Sequence, residues 1–381
     1  MPGTSADDPV ERIPGDDPVV AESVPVALAR KGRGAVSNLA HRFESVERAV
    51  DLEHLGAAED DDALPPVATT VTLETARSII TRNESPDIGF DRSINPYRGC
   101  EHGCIYCYAR PTHSYLNLSP GLDFETKLVA KMNAAELLVR ELAAPGYSPE
   151  LIMVGVNTDA YQPIERELKL TRGILEVLST ARHPFGLVTK SSLVERDMDL
   201  IAGMAALNVA SVSISITSLD AKLSRILEPR AASPQRRLRT VRMLAQAGVP
   251  VRVNVAPVIP FINEPEIEAI VDAAAEAGAK NAHYTVVRLP WEVSPLFEEW
   301  LQAHFPDRAR RVMNRIREMR GGKNYDAEFG RRMTGEGTWA QLIAQRFHRV
   351  SARHGFSDDW PALRKDLFIR PRRPTPQIDL F

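Results

Sequence analysis

The sequence predicts an α/β fold: a partial (βα)6 barrel with an N-terminal extension and a helical, basic C-terminal region. Three observations predict it. Short apolar runs alternate with amphipathic stretches between about residues 90 and 305. Cap and stop signals bracket several of the amphipathic stretches. Near residue 306 the rhythm stops and arginine becomes frequent. The boundaries drawn from this are 1–68 for an acidic, largely disordered extension, 69–305 for the core domain and 306–381 for the basic region.

Residues 1–68 carry 14 acids against 6 bases, while 306–381 carry 9 acids against 17 bases. The whole chain, at a net charge of -3, hides this asymmetry. Residues 1–25 and 56–68 are acidic and rich in proline and alanine, a composition that cannot bury enough apolar surface to fold. Between them "ARKGRGAVSNLAHRFE" is basic and too short for a domain, so it reads as an arm laid on one.

The expected strands are one near "FDRSINPYR", then "LIMVGV" (151–156), "FGLVTK" (185–190), "VASVSISI" (209–216), "VPVRVNVAPVI" (249–259) and "AHYTVVRL" (282–289). The expected helices are "ETKLVAKMNAAELLVREL", "LKLTRGILEVLSTAR", "RDMDLIAGMAAL", "SPQRRLRTVRMLAQAG" and "EPEIEAIVDAAAEAG". Ser233 before Pro234 is a start signal, and Gly248 and Gly278 are stop signals. Six βα units are two short of a closed eight-unit barrel, and in such folds chemistry collects at the C-terminal ends of the strands.

No apolar run is long enough to span a membrane, and the N-terminus lacks the basic and apolar regions of a secretory signal. All three cysteines, Cys100, Cys104 and Cys107, lie in "SINPYRGCEHGCIYCYARPTH". An odd number of thiols at such small gaps is no disulfide framework, and a reducing cytoplasm is the expected compartment. The spacing is C-x3-C-x2-C. Three thiolates on a cubane iron–sulfur cluster leave one iron open to a substrate or cofactor. Gly99 and Gly103 let the backbone wrap closely, and Arg98 offsets negative charge. A single zinc ion completed by His102 or His113 is the competing reading, but no second cysteine knuckle exists.

This motif, with Tyr106 before its last cysteine, resembles that of the radical S-adenosylmethionine (SAM) enzymes. The resemblance covers about residues 90–305. It implies that the three cysteines hold a [4Fe-4S] cluster and that SAM chelates the fourth iron. It implies reductive cleavage of SAM to a 5′-deoxyadenosyl radical, and an electron donor such as flavodoxin or ferredoxin. The family usually has a Gly-Gly-Glu-like segment after the second strand. Here "GVNTDAYQPIE" stands instead, so Asn157, Thr158 and Asp159 take that place. The pattern is similar to the spore photoproduct lyase-like branch, which implies SAM contacts from Lys190 and from Ser213 or Ser215. Ser211, Ser213 and Ser215 share one strand face by period-2 alternation.

Glu228 and Arg230 read as a SAM-facing pair, or as a surface ion pair. Val258 and Ile259 read as adenine contacts, or as core. The branch returns a hydrogen atom through an extra cysteine that this chain lacks, so spore photoproduct lyase activity is not expected. A tyrosine among Tyr108, Tyr115, Tyr161 and Tyr284 is the candidate relay, with Tyr108 and Tyr161 taken as catalytic. The expected substrate is nucleic acid, for repair or modification. A peptide or small metabolite is the alternative, and a non-enzymatic zinc-binding DNA adaptor is the rival class. Finally "QIDLF" resembles the pentapeptide that binds the bacterial sliding clamp, which implies contacts from Gln377, Leu380 and Phe381. It follows a proline-rich basic tether.

Overall fold

The computed structural model describes residues 31–44, 67–356 and 362–372. Ten strands are present among them: β1 (Thr70–Glu74), β2 (Ile80–Arg82), β3 (Arg92–Ile94), β4 (Tyr97–Arg98), β5 (Lys127–Lys131), β6 (Ile152–Val154), β7 (Phe185–Thr189), β8 (Ala210–Ser215), β9 (Val251–Val258) and β10 (Asn281–Val286). The main sheet has the order β10-β9-β8-β7-β6-β3-β2. Its six strands from β3 to β10 are parallel and follow chain order, and β2 adds antiparallel to β3. These are the six strands read from the sequence. The sheet is open: β2 and β10 are its two edges. β1, β5 and β4 form a second, three-stranded sheet.

Each crossover helix turns an apolar stripe to the sheet. The helix Pro234–Gln246 buries Val241 and Leu244, and the helix Ile267–Glu276 buries Ile267, Ile270, Val271 and Ala274. The start and stop signals act as read. The Ser233 hydroxyl accepts from the Arg236 amide, Pro234 opens the helix, and Gly248 and Gly278 follow the ends at φ +79° and +97°. One element differs. The single helix expected over 125–142 is a strand, β5, followed by the helix Ala134–Leu142. In "KLVAK" Leu128 and Ala130 are buried in alternation, and the segment pairs with both β1 and β4. A sheet edge provided by distant residues overrides the helical periodicity there.

Residues 31–44 lie on the core domain: Ala35 and Val36 are buried, and the Ser37 hydroxyl donates to Glu299 at 2.6 Å. The helix Pro306–Glu318 buries Ala309, Val312, Met313 and Ile316 and turns most of its arginines outward. The helix Gly337–Arg353 packs on β10, where the Tyr284 and Phe347 rings stand 4.7 Å apart. Among the described residues no helix is long and apolar enough to cross a membrane. Gln377, Leu380 and Phe381 lie outside the described residues.

The segment 362–372 crosses the side of the sheet where the parallel strands begin. The Arg364 amide donates to Asn208 O, the Ile369 amide to Ala181 O, and Arg370 donates to the carbonyls of Ala144 and Tyr147. Phe368 packs edge-on against His183, which also meets the Tyr147 hydroxyl at 2.8 Å. Burial lowers the His183 pKa to about 4. A histidine depressed in the folded state stabilises it fully above the unfolded value, and that contribution falls away as pH drops toward 4. A loss of about 3 kcal/mol is expected between pH 6.5 and 4. His183→Gln should flatten the dependence of urea midpoint on pH across that window; an unchanged profile would refute the assignment.

Candidate functional site

The three cysteines sit in the loop after β4. Gly99 opens it at φ +75°, and a Cβ there would stand 2.9 Å from Phe124 O. Gly103, at φ +65°, would drive a Cβ to 2.7 Å from the Glu125 carboxylate. Only glycine fits either position without displacement. Arg110 is fully buried behind the loop. Its Nε donates to Cys104 O at 2.9 Å, Nη2 to Gly103 O at 3.2 Å, and Nη1 to Gly121 O at 2.9 Å and Pro120 O at 3.1 Å. It also pairs with the buried carboxylate of Glu125. That carboxylate accepts from the amides of Gly34 (3.0 Å) and Ala35 (2.8 Å) on the N-terminal arm. The backbone of the cysteine loop is thus held from behind, by a charge pair whose hydrogen bonds are made.

Cys100 and Cys104 are buried and Cys107 is half-buried. Burial pushes the Cys100 thiol well up, with Asp159 and the other two cysteines adding to the rise. Burial also lifts Cys104 to about 12, against the opposing pull of Lys190. Thiols so held keep their protons until a soft metal displaces them. Three thiols gathered on one loop are the donor type that an iron–sulfur cluster takes. For a single zinc ion, no group of three or more His, Cys, Asp or Glu side chains among the described residues is placed to hold one metal ion. His102 Nδ1 lies 3.2 Å from Asp159 Oδ2, and His113 Nε2 lies 2.9 Å from Lys127 O.

The strand ends surround the loop. Asp159, after β6, accepts from the Thr189 hydroxyl and the Lys190 amide, each at 2.7 Å. Burial opposes its ionisation, but His102 and these donors outweigh burial and hold the carboxyl at about 2. Lys190, at the end of β7, lies 5.9 Å from the Tyr106 ring centroid. Burial works against its charge, yet Cys104 and Glu228 prevail and raise its pKa. Glu228 is a hub. Its Oε1 accepts from Thr217 Oγ1 (2.5 Å) and from the Tyr106 hydroxyl, and its Oε2 pairs with the buried Arg237. Arg237 also donates to Ser215 O at 3.0 Å and Ala232 O at 2.7 Å. Burial would raise the Glu228 carboxyl, but Arg237 and Lys190 bring it below its usual range.

Some expected contacts fall elsewhere. Glu228 and Arg230 do not pair with each other: Arg230 meets Glu101 at 2.8 Å, while Glu228 is taken by Arg237. The Thr158 hydroxyl is committed to Tyr97 O at 3.0 Å. The Asn157 amide N–H donates to Asn95 at 2.9 Å, and its half-buried side chain has no partner among the described residues. Ser213 is half-buried and Ser215 buried on β8. Val258 and Ile259 belong to the main core.

The tyrosines separate clearly. The Tyr161 hydroxyl is buried on Asp197 at 2.9 Å, Tyr284 packs under the C-terminal helix, and Tyr115 is 71% exposed beside Phe43. Tyr108 directly follows Cys107, is 43% exposed and donates to Val156 O. The guanidinium of Arg288, just past β10, lies 5.0 Å from its ring centroid. Among the described residues no carboxylate pairs with Arg288, and its buried Nε has no acceptor.

Thr217, Arg237 and Arg288 were missed by sequence reasoning. Arg237 had a readable signal: it shares the apolar face of its helix with Val241 and Leu244. Thr217 and Arg288 had none beyond their place after a strand.

The sequence profile of the radical SAM superfamily matches residues 94–274. An uncharacterized protein of Mycobacterium tuberculosis is 35% identical over 282 residues, which span 69% of this chain and 82% of its own. One of Methanocaldococcus jannaschii is 28% identical, spanning 58% of this chain and 79% of its own. Among solved structures, a mutant of spore photoproduct lyase superposes with a TM-score of 0.53 at 16% identity. The same enzyme complexed with dinucleoside spore photoproduct gives 0.52 at 15% identity; both cover 74% of this chain and 79% of that one. At such identities the likeness is one of fold.

Proposed function

This chain belongs to the radical SAM superfamily, whose cofactors are a [4Fe-4S] cluster and SAM, and on that premise we propose that Cys100, Cys104 and Cys107 ligate the cluster and that the substrate is nucleic acid. When bound, the cluster supplies the electron that cleaves SAM and so generates the hydrogen-abstracting radical. The observation that carries the reading is the convergence of three thiols with Lys190 and the Glu228 hub at the strand ends.

The chain's own residues take distinct parts. Lys190 offers a positive charge for the SAM carboxylate, and Asn157 offers an uncommitted amide. Asp159 stays ionised and fixes the Lys190 backbone. The Glu228 hub ties Tyr106 of the cysteine loop to the segment after β8 and to the helix Pro234–Gln246. Tyr108 is the candidate to return a hydrogen atom, since it adjoins Cys107 and is an accessible phenol at the mouth.

Two features support an anionic, polymeric substrate. The half-buried Arg288 guanidinium faces Tyr108 with no carboxylate partner among the described residues, so its charge is available to an anion at the mouth. The arginines of the helix Pro306–Glu318 add a basic surface suited to phosphates. Spore photoproduct lyase, which shares the fold, is described in complex with a dinucleoside lesion. The test is an anaerobic, SAM-dependent product screen on damaged and modified DNA and RNA. Products from peptides or metabolites alone would overturn the substrate class.

Lys190→Ala should weaken SAM binding by about 1.5–3 kcal/mol, the range of a charged hydrogen bond, with iron content unchanged. Calorimetric titration of SAM into the reconstituted protein checks this. Unaltered affinity would leave Lys190 a structural part of the Glu228 network.

A further inference from the structure

A cleft of about 420 Å³ opens where the N-terminal arm meets the cysteine loop. Its walls carry three cations, Lys31, Arg33 and Arg230, against one carboxylate, Glu101. Thr69 Oγ1 lies 3.0 Å from Arg33 Nη2 and 3.3 Å from Arg230 Nη1, so both guanidinium groups converge on one hydroxyl. Mutual repulsion with Arg230 adds to burial in lowering the Arg33 pKa. Lys31 is exposed and has no partner among the described residues. Glu101 is the residue next to Cys100, so the cleft wall is continuous with the metal-binding loop. Most of the lining, Lys31 to Arg33 and Val67 to Thr69, lies outside the segment matched by the superfamily profile.

We propose that this cleft is the docking surface for the acidic one-electron carrier that reduces the protein. The inference rests on the cluster assignment above. Charge sign and position both favour such a partner. Opposite charges steer encounter and fix register, and electron-transfer contacts sit at the small end of interface sizes, so a few cations beside the loop suffice. A nucleic-acid backbone is the less favoured occupant, because Arg230 is already paired with Glu101 and the cleft leaves too few free cations to neutralise successive phosphates. The step is balanced: one electron leaves the carrier's reduced flavin and enters the cluster site, and no bond to the chain forms.

Lys31→Glu combined with Ala68→Asp tests the proposal, since both residues are exposed and neither supports the loop. The probe is flavodoxin, a carrier of this chemistry. Its binding to the reconstituted protein is titrated calorimetrically at low and high salt, and SAM cleavage is driven either by reduced flavodoxin or by dithionite. The double variant should lose about tenfold in flavodoxin affinity at low salt, as expected for steering charges, and high salt should weaken wild-type binding. Flavodoxin-driven cleavage should fall while dithionite-driven cleavage stays unchanged.

Unchanged flavodoxin affinity overturns the proposal. So does an equal fall with dithionite, which would make the cleft part of the reaction site. Loss of single-stranded oligonucleotide binding with flavodoxin binding intact overturns it in favour of nucleic acid. A wild-type protein that takes up iron but cannot cleave SAM with dithionite would instead sink the cluster reading, and the calorimetric titration would still decide the docking.

Discussion

Alanine at Cys100, Cys104 or Cys107 should yield a folded protein without bound iron–sulfide and without SAM cleavage. These are the only thiols in the chain, and the neutral thioethers and imidazoles that remain do not match the charge and softness of a thiolate on iron. The loop itself is fixed from behind by Arg110, whose bonds to Gly103 O and Cys104 O do not use the sulfur atoms. Replacing one thiol therefore removes a ligand without removing the loop. Anaerobic reconstitution followed by iron and sulfide assays, with circular dichroism as the check on folding, measures this. A single-cysteine variant with full iron content would end the assignment.

Gly34→Val should cost about 3 to 5 kcal/mol and lower cluster occupancy together with it. A Cβ at Gly34 would lie 1.8 Å from Gly103 O, a backbone atom of the cysteine loop. The arm must lift, and the Gly34 and Ala35 amides then leave the fully buried Glu125 carboxylate. A buried charge stripped of part of its hydrogen bonds is the costly case, not a neutral trimming of contacts. Gly89→Ala is the control, because a Cβ there meets nothing. Urea unfolding and iron content are read in parallel. If Gly34→Val matches the control in both, the arm is not part of the support of the loop.

The parallel order of the main sheet was legible because apolar segments alternate with capped helices, as around Val251–Val258, where Val251, Val253, Val255 and Val258 are buried. The cysteine triad was legible because chemistry and spacing lie within one short segment. β5 was not, since its partners β1 and β4 are distant in sequence and its residues also suit a helix. The Glu228–Arg237 pairing was not, because nine residues after an acid on a strand rim any of several arginines competes. Arg236 turns out to Glu195 while Arg237 turns in. Pairing of that kind is decided by side-chain direction on a helix, which charge counts do not encode.

The path of residues 362–372 bears on how the protein can be handled. That segment runs beneath the starts of β6, β7 and β8, held by Asn208, Ala181, Ala144 and Tyr147, whereas the cysteines gather at their opposite ends. Position 372 therefore faces away from the reaction mouth. An affinity tag or biotin appended beyond it would immobilise the enzyme with its mouth turned outward to the flow, oriented for surface-based titrations of large substrates. Attachment through the N-terminal arm would instead bring the support against the cysteine loop.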